Sequence, residues 1–98
     1  MRKTTKKAVN ALYNAEKCNL DNTKIEVYPN VTIMSLFNNK IAYLYNDPEK
    51  TLSITDCGYF TNTTKERLNG LPNVNIKQIK GGWYLNGKEW DGKLIDIK

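Results

Sequence analysis

The stretch that decides the fold lies at residues 31–45 and reads VTIMSLFNNKIAYLY. β-branched, aromatic and other apolar residues recur in it with a period of two, which is typical of strands. Asn38 and Asn39 interrupt the pattern, and asparagine suits a tight turn because it tolerates a left-handed backbone. The stretch therefore predicts two strands, at 31–37 and 40–45, joined as an antiparallel hairpin.

Two further strands extend this hairpin into a β-meander. A short strand is predicted at 24–28, where a Pro-Asn pair ends it, and another at 51–55, after the turn-forming residues 46–50. The side chains of 51–55 alternate between two faces, with Leu52 and Ile54 on one and Thr51, Ser53 and Thr55 on the other. We expect the first face to meet the core and the second to meet water.

The N-terminal segment predicts an amphipathic helix from about residue 4 to about residue 17. Thr4 or Thr5 can cap it, because a threonine hydroxyl accepts a hydrogen bond from a free first-turn amide. One face is mainly apolar and comprises Ala8, Val9, Ala11, Leu12, Tyr13 and Ala15. The opposite face is basic and amide-bearing and comprises Lys6, Lys7, Asn10, Asn14 and Lys17. Lysines in a first turn oppose the helix dipole, and a bound anion would relieve that opposition.

A second, short helix is predicted to end at Asn69. Thr63 and Glu66 have the spacing of a capping box, in which each side chain bonds the backbone amide of the other residue. Gly70 suits the left-handed residue that follows a helix, and Pro72 prevents continuation. Strands are then predicted at 74–79, 83–85 and 88–90, with turns at Gly81-Gly82 and Asn86-Gly87.

These elements predict an α+β fold with an N-terminal amphipathic helix, an antiparallel β-meander, a short capped helix and a C-terminal β-hairpin. With 98 residues, the chain has the length of one domain and is too short for two. We therefore assign residues 1–98 to a single domain, with a basic helix at about 4–17 and an α+β core at about 24–98.

Composition and charge narrow the classes of function. The chain has no histidine, so it lacks the usual general base near neutral pH and the commonest metal ligand. The acidic residues show no characteristic spacing, and Cys18 and Cys57 are isolated, which favours reduced, half-buried thiols. We expect no enzymatic activity, metal or other cofactor. No apolar run is long enough for a membrane span or a signal peptide, so we expect no membrane partner and a location in the cytoplasm.

The positive charge belongs to the N-terminus. The net charge is +5, and residues 1–17 carry five basic side chains against one acidic side chain. Such a segment attracts nucleic acid or another polyanion, although it is also typical of a plain solvated end.

Residues 58–69 read GYFTNTTKERLN, and this motif carries a resemblance. It resembles small bacteriophage and prophage proteins with a Gly, an aromatic residue, and then Thr-x-Thr-Thr-Lys/Arg-x-Arg-Leu/Ile-Asn. Residues 40–54 match the hairpin that precedes the motif in that family, and residues 77–85 match the segment ending in Trp-Tyr-Leu that follows it. The resemblance spans about residues 38–90 and has no counterpart for the first 37. It implies a phage gene product in a bacterial host cell and no particular activity.

The motif has two interpretations. Its threonines and cations can cradle a phosphate at a helix N-terminus, or its threonines can simply cap the helix while its apolar residues pack in the core. An aromatic side chain on a strand can also stack on an exposed base, and Tyr84 is the best placed because Trp83 and Leu85 face the other way. The candidate anion-binding or nucleic-acid-binding residues are Arg2, Lys3, Lys6, Lys7, Lys17, Thr63, Thr64, Lys65, Arg67 and Tyr84.

The sequence leads to one expected function, given first here, and leaves two alternatives. The first is a non-enzymatic phage accessory protein that binds and inhibits a host protein, such as a nuclease or defence factor. The second is direct, weakly sequence-selective binding of nucleic acid through the basic helix, Lys65 and Arg67; five or six phosphate contacts would give a salt slope of magnitude roughly 4 to 5. The third is a minor virion component. No oligomeric state follows from the sequence.

Overall fold

A computed structural model describes residues 2–97. This part of the chain contains two helices and nine strands. In chain order they are α1 (Lys3–Asn14), β1 (Cys18–Leu20), β2 (Thr23–Val27), β3 (Val31–Leu36), β4 (Asn39–Tyr45), β5 (Leu52–Ile54), α2 (Asn62–Asn69), β6 (Ile76–Ile79), β7 (Gly82–Leu85), β8 (Lys88–Glu89) and β9 (Ile95–Ile97).

The strands form two antiparallel sheets. The larger has the order β1-β2-β3-β4-β5-β9 and the smaller has the order β6-β7-β8. The α+β class, the N-terminal helix, the meander, the short second helix and the C-terminal strands are confirmed. The last strand of the larger sheet, β9, is added beside β5 rather than to the C-terminal hairpin. One buried cluster joins side chains of both helices and both sheets; the single domain stays a prediction.

The central hairpin forms as expected, with its turn one residue earlier. Leu36 pairs with Asn39, so Phe37 and Asn38 are the turn residues, and their φ values of 50° and 66° are those of a type I′ turn. The register then shifts next to Met34, where Ile41 is an extra residue on β4. Because of this bulge, Ile41 and Ala42 are both buried although they are consecutive.

The expectation that one face of β5 meets water is wrong. Ser53 is as well buried as its neighbours Leu52 and Ile54. The small Ser53 side chain lies between its cross-strand neighbours, Tyr43 on β4 and Asp96 on β9, and its hydroxyl bonds the Asp96 carboxylate.

Helix α1 begins before the expected threonine cap and ends earlier than expected. Arg2 is the N-cap residue and makes no side-chain cap, while Thr5 lies within the helix, fully buried on the face of Ala8 and Leu12. Capping by Thr4 or Thr5 is therefore wrong. The helix stops because Ala15 adopts a left-handed conformation, with φ at 52°. This places Ala15 and Lys17 outside the helix, both exposed.

The C-terminal hairpin is confirmed at its Asn86-Gly87 turn, where both residues have positive φ. The turn between β6 and β7 uses Lys80 and Gly81 instead of the expected Gly81-Gly82. Trp83 and Leu85 face the core and Tyr84 does not, as predicted from the alternation.

Candidate binding surfaces

The exposed side of α1 carries a group of cations. Arg2, Lys3, Lys6 and Lys7 are all exposed, and their spacing places them on the side of the helix away from the buried Thr5, Ala8 and Leu12. We call Arg2, Lys3, Lys6 and Lys7 the cationic α1 surface.

These four cations have no acidic partner. Within residues 2–97 the ion pairs are Arg67–Glu66 and Lys93–Asp91, and the first turn of α1 contains no acidic residue. The N-terminal end of a helix carries a positive partial charge, so the four cations add to it. No acidic side chain within residues 2–97 lies at ion-pair distance from these cations, and a polyanion is a partner that would neutralise them.

The N-terminus of α2 is capped by Thr61, two residues before the expected cap. The Thr61 hydroxyl accepts a hydrogen bond from the Thr64 backbone amide at 3.1 Å and lies 2.9 Å from the Thr64 hydroxyl. Thr63 is half-buried inside the helix, and Glu66 bonds the side chains of Thr5 and Arg67. The predicted capping box of Thr63 and Glu66 is wrong because α2 begins one residue before Thr63.

Arg67 is buried, with 3% of its surface exposed. Its Nε donates to the Thr23 hydroxyl at 3.0 Å and its Nη1 donates to the Thr5 hydroxyl at 2.8 Å. The Glu66 carboxylate lies 3.2 Å from Nη1, and the Asn22 side-chain oxygen lies 3.4 Å from Nη2. Burial lowers the pKa of the guanidinium, and the Glu66 carboxylate opposes that shift. We call Arg67 with these four partners the Arg67 cluster.

The Arg67 cluster joins three elements. Because Arg67 is buried within it, this residue is not one of the surface cations. Thr5 comes from α1, Thr23 from β2, and Glu66 and Arg67 from α2. The sequence did not lead us to Thr5 or Thr23 as partners of Arg67. Thr5 did carry a signal, because it lies three residues before Ala8 and seven before Leu12, which is the spacing of a buried helix face.

Gly70 has a different role from the one expected. Its φ is −76°, so it is not the left-handed residue after α2. A Cβ there would overlap the Thr5 methyl group and lie 3.2 Å from a Val9 methyl group. Glycine at this position therefore lets α1 pack closely against the end of α2.

The remaining candidate residues are dispersed. Lys65 is half-exposed and lies 3.4 Å from the Gln78 side chain on β6, and Tyr84 is half-buried on β7. Lys17 is exposed beyond the end of α1. The structure thus brings together the four cations of α1. Arg67 lies close enough to Arg2 for the Arg2 charge to lower its pKa as well, but its donors are used within the Arg67 cluster.

A small cavity lies beside the N-terminus of α2. It has a volume of about 340 Å³, and its walls include Leu36, Phe37, Ile41, Asp56, Tyr59 and Thr61. Asp56 is 1% exposed; its Oδ1 accepts a hydrogen bond from the Gly58 amide at 2.7 Å, and its Oδ2 has no hydrogen-bond partner. We call this the Asp56 cavity. A carboxylate in its wall opposes an anion next to the α2 cap, contrary to the phosphate cradle suggested by the sequence.

A wider groove of mixed polar and apolar lining lies between the edges of the two sheets. Two adjoining cavities of about 750 and 660 Å³ share Glu89, Trp90 and Ile95. Trp83 packs edge-on against Phe60, with ring centroids 5.1 Å apart, and lies beside Trp90. Leu94, which is 58% exposed, lies at the rim. We call these two cavities together the Trp90 groove.

The two cysteines are free thiols in different settings. Cys18 is half-buried on β1, as expected, but Cys57 is exposed. The Cys57 thiol donates to the Lys40 carbonyl oxygen at 2.9 Å, and both partial burial and the Asp56 carboxylate raise its pKa. These effects favour the protonated thiol over the nucleophilic thiolate at neutral pH.

Two further features of residues 2–97 bear on classification. No three His, Cys, Asp or Glu side chains come together there as a potential metal site. Neither of the helices in that range has the length and apolarity to cross a membrane.

The fold and these surfaces define a small α+β protein whose conspicuous features are an exposed cationic helix and exposed aromatic cavities. Residues 1–95 match the family model described as Kyanoviridae Gp96 protein. The chain therefore belongs to this family of phage proteins. No curated protein and no solved structure matches it.

The family match confirms a small phage protein, as the resemblance of residues 58–69 implied, and leaves the motif itself untested. The match begins at residue 1, so α1 lies inside the matched region even though the resemblance did not reach it.

Proposed function

We propose that this phage protein acts by binding rather than by catalysis, and that the cationic α1 surface contacts nucleic acid. One observation carries the proposal: Arg2, Lys3, Lys6 and Lys7 are exposed on one side of α1 and none has an acidic partner within residues 2–97. Nucleic acid was the second of the two partners expected from the sequence, and charge complementarity now favours it over a host protein.

The expected mode of binding is electrostatic and weakly selective for sequence. Lysine binds phosphate as a point charge, and contacts to the phosphate backbone carry no base-sequence information. The cations also stand at the end of α1 where the helix dipole disfavours them, so their position does not serve the stability of the helix. A phosphate backbone lying along α1 would offset the repulsion among the four cations. It would also offset their repulsion from the positive end of the helix dipole.

The number of phosphate contacts is smaller than the sequence suggested. Arg67 is buried and Lys17 lies outside the helix, which leaves four cations on the surface. For four phosphate contacts, the logarithm of the binding constant should fall against the logarithm of salt concentration with a slope of magnitude roughly 3 to 4.

Fluorescence anisotropy with labelled duplex and single-stranded DNA over a series of salt concentrations tests this proposal. Lys6→Glu with Lys7→Glu should weaken binding and reduce the magnitude of the slope by about 2, because two phosphates are no longer neutralised. The matched control is Lys77→Glu with Lys80→Glu, which changes the net charge equally at exposed positions of β6 and the β6–β7 turn. If the two double variants weaken DNA binding equally, binding depends on net charge alone, and the proposal that α1 is the contact surface is wrong.

A protein partner in the bacterial host is the second candidate, and the Trp90 groove favours it. Exposed apolar surface rimmed by polar residues is typical of protein-binding sites, and aromatic side chains are enriched there. The groove combines the exposed Leu94 and Ile95 with Trp90, and the charged Lys88 and Glu89 also line it. In this mode the protein would occupy the surface of a host nuclease or defence factor in the host cytoplasm.

Affinity capture from a lysate of the natural host, with and without nuclease, separates the two candidates. Under the second candidate, one host protein is retained after nuclease treatment, Leu94→Asp abolishes its capture, and Ile79→Asp does not. Both positions are exposed apolar residues, so the two variants are matched in chemistry. Partners that disappear with nuclease support the nucleic-acid proposal.

A further inference from the structure

The larger sheet ends in an open edge at β9, which lies along the Trp90 groove. β9 pairs with β5 on one side, and within residues 2–97 no strand pairs with its other side. All three residues of β9 line the groove, together with Leu94 and Trp90. An open strand edge carries backbone donors and acceptors that can pair with another chain. The groove therefore has a strand edge in its wall.

The hydrogen bonds of β5 show which way its backbone groups point. The Tyr45 amide on β4 donates to the Thr51 carbonyl at 2.9 Å, so Thr51, just before β5, bonds towards β4. Successive residues of a strand in an antiparallel sheet bond to opposite sides, so Ser53 also bonds β4. Leu52 and Ile54 then bond the strand on the other side, which is β9.

The same alternation fixes the backbone groups of β9. Leu52 pairs with Ile97 and Ile54 pairs with Ile95, so these two residues of β9 bond to β5. Asp96 lies between them, and its amide and carbonyl therefore point away from β5, along the open edge. Within residues 2–97 neither group takes part in a backbone hydrogen bond outside the β5–β9 pair. β9 thus offers one donor and one acceptor to an added strand.

Two other strand edges of the protein are protected. On β6 the Asn69 side chain accepts from the Ile76 amide at 2.6 Å and donates to the Ile76 carbonyl at 3.1 Å. β8 has two residues, both charged and exposed, and charged side chains are a common protection of a strand edge. The one charged side chain of β9, Asp96, is bonded to Ser53 on β5. The edge of β9 thus lacks both kinds of protection.

We propose that the Trp90 groove binds an extended segment of a protein partner, which adds to β9 as a seventh strand of the larger sheet, antiparallel to β9. The segment has the pattern apolar, basic, apolar, with its basic residue opposite Asp96. This inference rests on the second candidate function, a protein partner at this groove, and states how that partner is bound.

The side chains of β9 determine the pattern of the segment. Ile95 pairs with the buried Ile54, so its side chain lies on the core face of the sheet, and Asp96 lies on the opposite face. A residue paired with Asp96 shares the face of Asp96, and the residues on either side of it turn to the face of Ile95. Ile95 is 41% exposed, so apolar side chains there would cover it.

Charge favours a basic residue at the centre of the segment. Three acidic side chains line the groove, Glu89, Asp91 and Asp96, against one basic side chain, Lys88, although the whole chain has a net charge of +5. Opposite charges that face each other on neighbouring strands stabilise a sheet, and like charges destabilise it. The same rule disfavours a second copy of this chain, because symmetric pairing of two β9 strands through their outward groups places Asp96 opposite Asp96.

An NMR titration of the full-length protein tests the proposal with the blocked peptide acetyl-Thr-Val-Lys-Val-Thr-amide. Its reporters are the amides of Asp96 and of Glu89, which lies on β8, the other strand that lines the groove. Binding should slow hydrogen exchange of the Asp96 amide, which then donates to the peptide, and leave exchange of the Glu89 amide unchanged. A peptide with glutamate in place of lysine should bind about tenfold more weakly. Replacing both valines with threonine, which has the same shape, should also weaken binding.

N-methylated peptides test the backbone pairing separately. A methyl group on the lysine nitrogen removes the donor to the Asp96 carbonyl and should abolish binding. The matched control carries the methyl group on the nitrogen of the second valine. That nitrogen points away from β9 in the antiparallel pairing, so this peptide should still bind.

Variants of the protein identify the groups responsible. Asp96→Asn should abolish the preference for lysine over glutamate in the peptide, whereas Asp21→Asn, in the exposed β1–β2 turn, should keep it. Asp96→Pro removes the outward amide without removing a hydrogen bond to β5, so it should abolish binding of the peptide. A thermal melt checks that this variant is folded, and the N-methylated peptides keep the test decisive if it is not.

Three results of the peptide experiments would overturn the inference. They are equal binding of the lysine and glutamate peptides, equal binding of the two N-methylated peptides, and slowed exchange at the Glu89 amide without slowed exchange at Asp96. In the capture experiment, loss of the host protein with Leu94→Asp but not with folded Asp96→Pro would show that the groove binds a partner without strand pairing. In that case the second candidate function stands and this inference alone fails. The DNA-binding experiment on α1 is independent of all these results.

Discussion

The cationic α1 surface and the Arg67 cluster lie on helices that touch, yet their cations are in opposite environments. Lys6 and Lys7 are exposed without an acidic partner, whereas Arg67 is 3% exposed and bonds side chains from α1, β2 and α2. Both groups come from basic segments of the chain. The positive charge of one is available to a ligand, and the charge of the other is used to hold three elements together.

The difference teaches that a basic motif can be structural. Arg67 bonds Thr5 and Thr23, which are 62 and 44 residues away in the chain. Its guanidinium already donates hydrogen bonds to acceptors inside the protein, so these donors are not available to a phosphate. The lysines of α1 have no acidic partner within residues 2–97. We therefore expect changes at Arg67 to affect stability and changes at the α1 lysines to affect binding.

The largest expected effect is on stability, from Arg67→Met. Methionine keeps an apolar stem but removes the donors to the Thr5 and Thr23 hydroxyls and leaves Glu66 without its cation. We expect the free energy of unfolding to fall by about 3 kcal/mol, measured by urea denaturation. Lys65→Met, on the exposed side of the same helix, should change it by less than about 0.5 kcal/mol. If Arg67→Met folds but no longer binds DNA, Arg67 also contributes to binding, and the two regions do not differ in function.

Gly70→Ala tests the contact that brings α1 onto α2. Because the φ of Gly70 is helical, alanine alone would stabilise slightly, by about 0.5 kcal/mol. The overlap of its Cβ with the Thr5 methyl group should instead destabilise the protein by about 1 to 2 kcal/mol. Thr5→Ser keeps the hydroxyl and removes that methyl group, so it should restore most of the stability in the double variant. A thermal melt that shows stabilisation by Gly70→Ala would contradict the close approach of the helices.

Thr61→Ala and Thr63→Ala distinguish the observed cap of α2 from the one expected from the sequence. Thr61→Ala removes the acceptor of the Thr64 amide and should lower the free energy of unfolding by about 1 kcal/mol. Thr63→Ala should change it by less than about 0.5 kcal/mol. Denaturation of the two variants side by side checks the order, and the reverse order would restore the capping box of Thr63 and Glu66.

The smallest effect has the opposite sign to the others. Lys6→Glu with Lys7→Glu replaces cations by anions near the positive end of α1, so it should raise the stability by a few tenths of a kcal/mol per site. The same double variant should bind DNA more weakly, with the magnitude of the salt slope reduced by about 2. A chemical denaturation curve checks the gain, with Lys77→Glu and Lys80→Glu as the control. A loss of stability would show that these lysines have structural partners.

Local patterns predicted most of the fold. Period-two alternation indicated the meander, and the Asn86-Gly87 pair indicated the C-terminal hairpin, because strand and turn propensities act over a few residues. The errors lie where distant parts of the chain meet. Ser53 was expected in water because nothing local indicates that β9 pairs beside β5, and Gly70 was expected to be left-handed because its contact with Thr5 is not visible in sequence.

The candidate sites were predictable to very different degrees. The cationic α1 surface could be found from helical periodicity and charge alone, since all of its residues lie within one segment. The Asp56 cavity could not, because it forms where the β3–β4 turn meets the loop before α2. The one local signal was Phe37, which follows Leu36 where a strand was expected to continue and instead occupies the turn.

The pairing of β9 with β5 has a consequence for how the chain reaches its fold. Ile54 pairs with Ile95, so the larger sheet is complete only after the whole intervening chain, with α2 and the smaller sheet, has been brought back to it. Contacts between such distant residues form slowly, because the entropy of closing the loop is lost before the contacts stabilise it. Until then the edge of β5, whose three residues are all buried in the native protein, is open to pairing with other chains. Refolding at high protein concentration should therefore aggregate through β5, and dilution should favour recovery of the native protein.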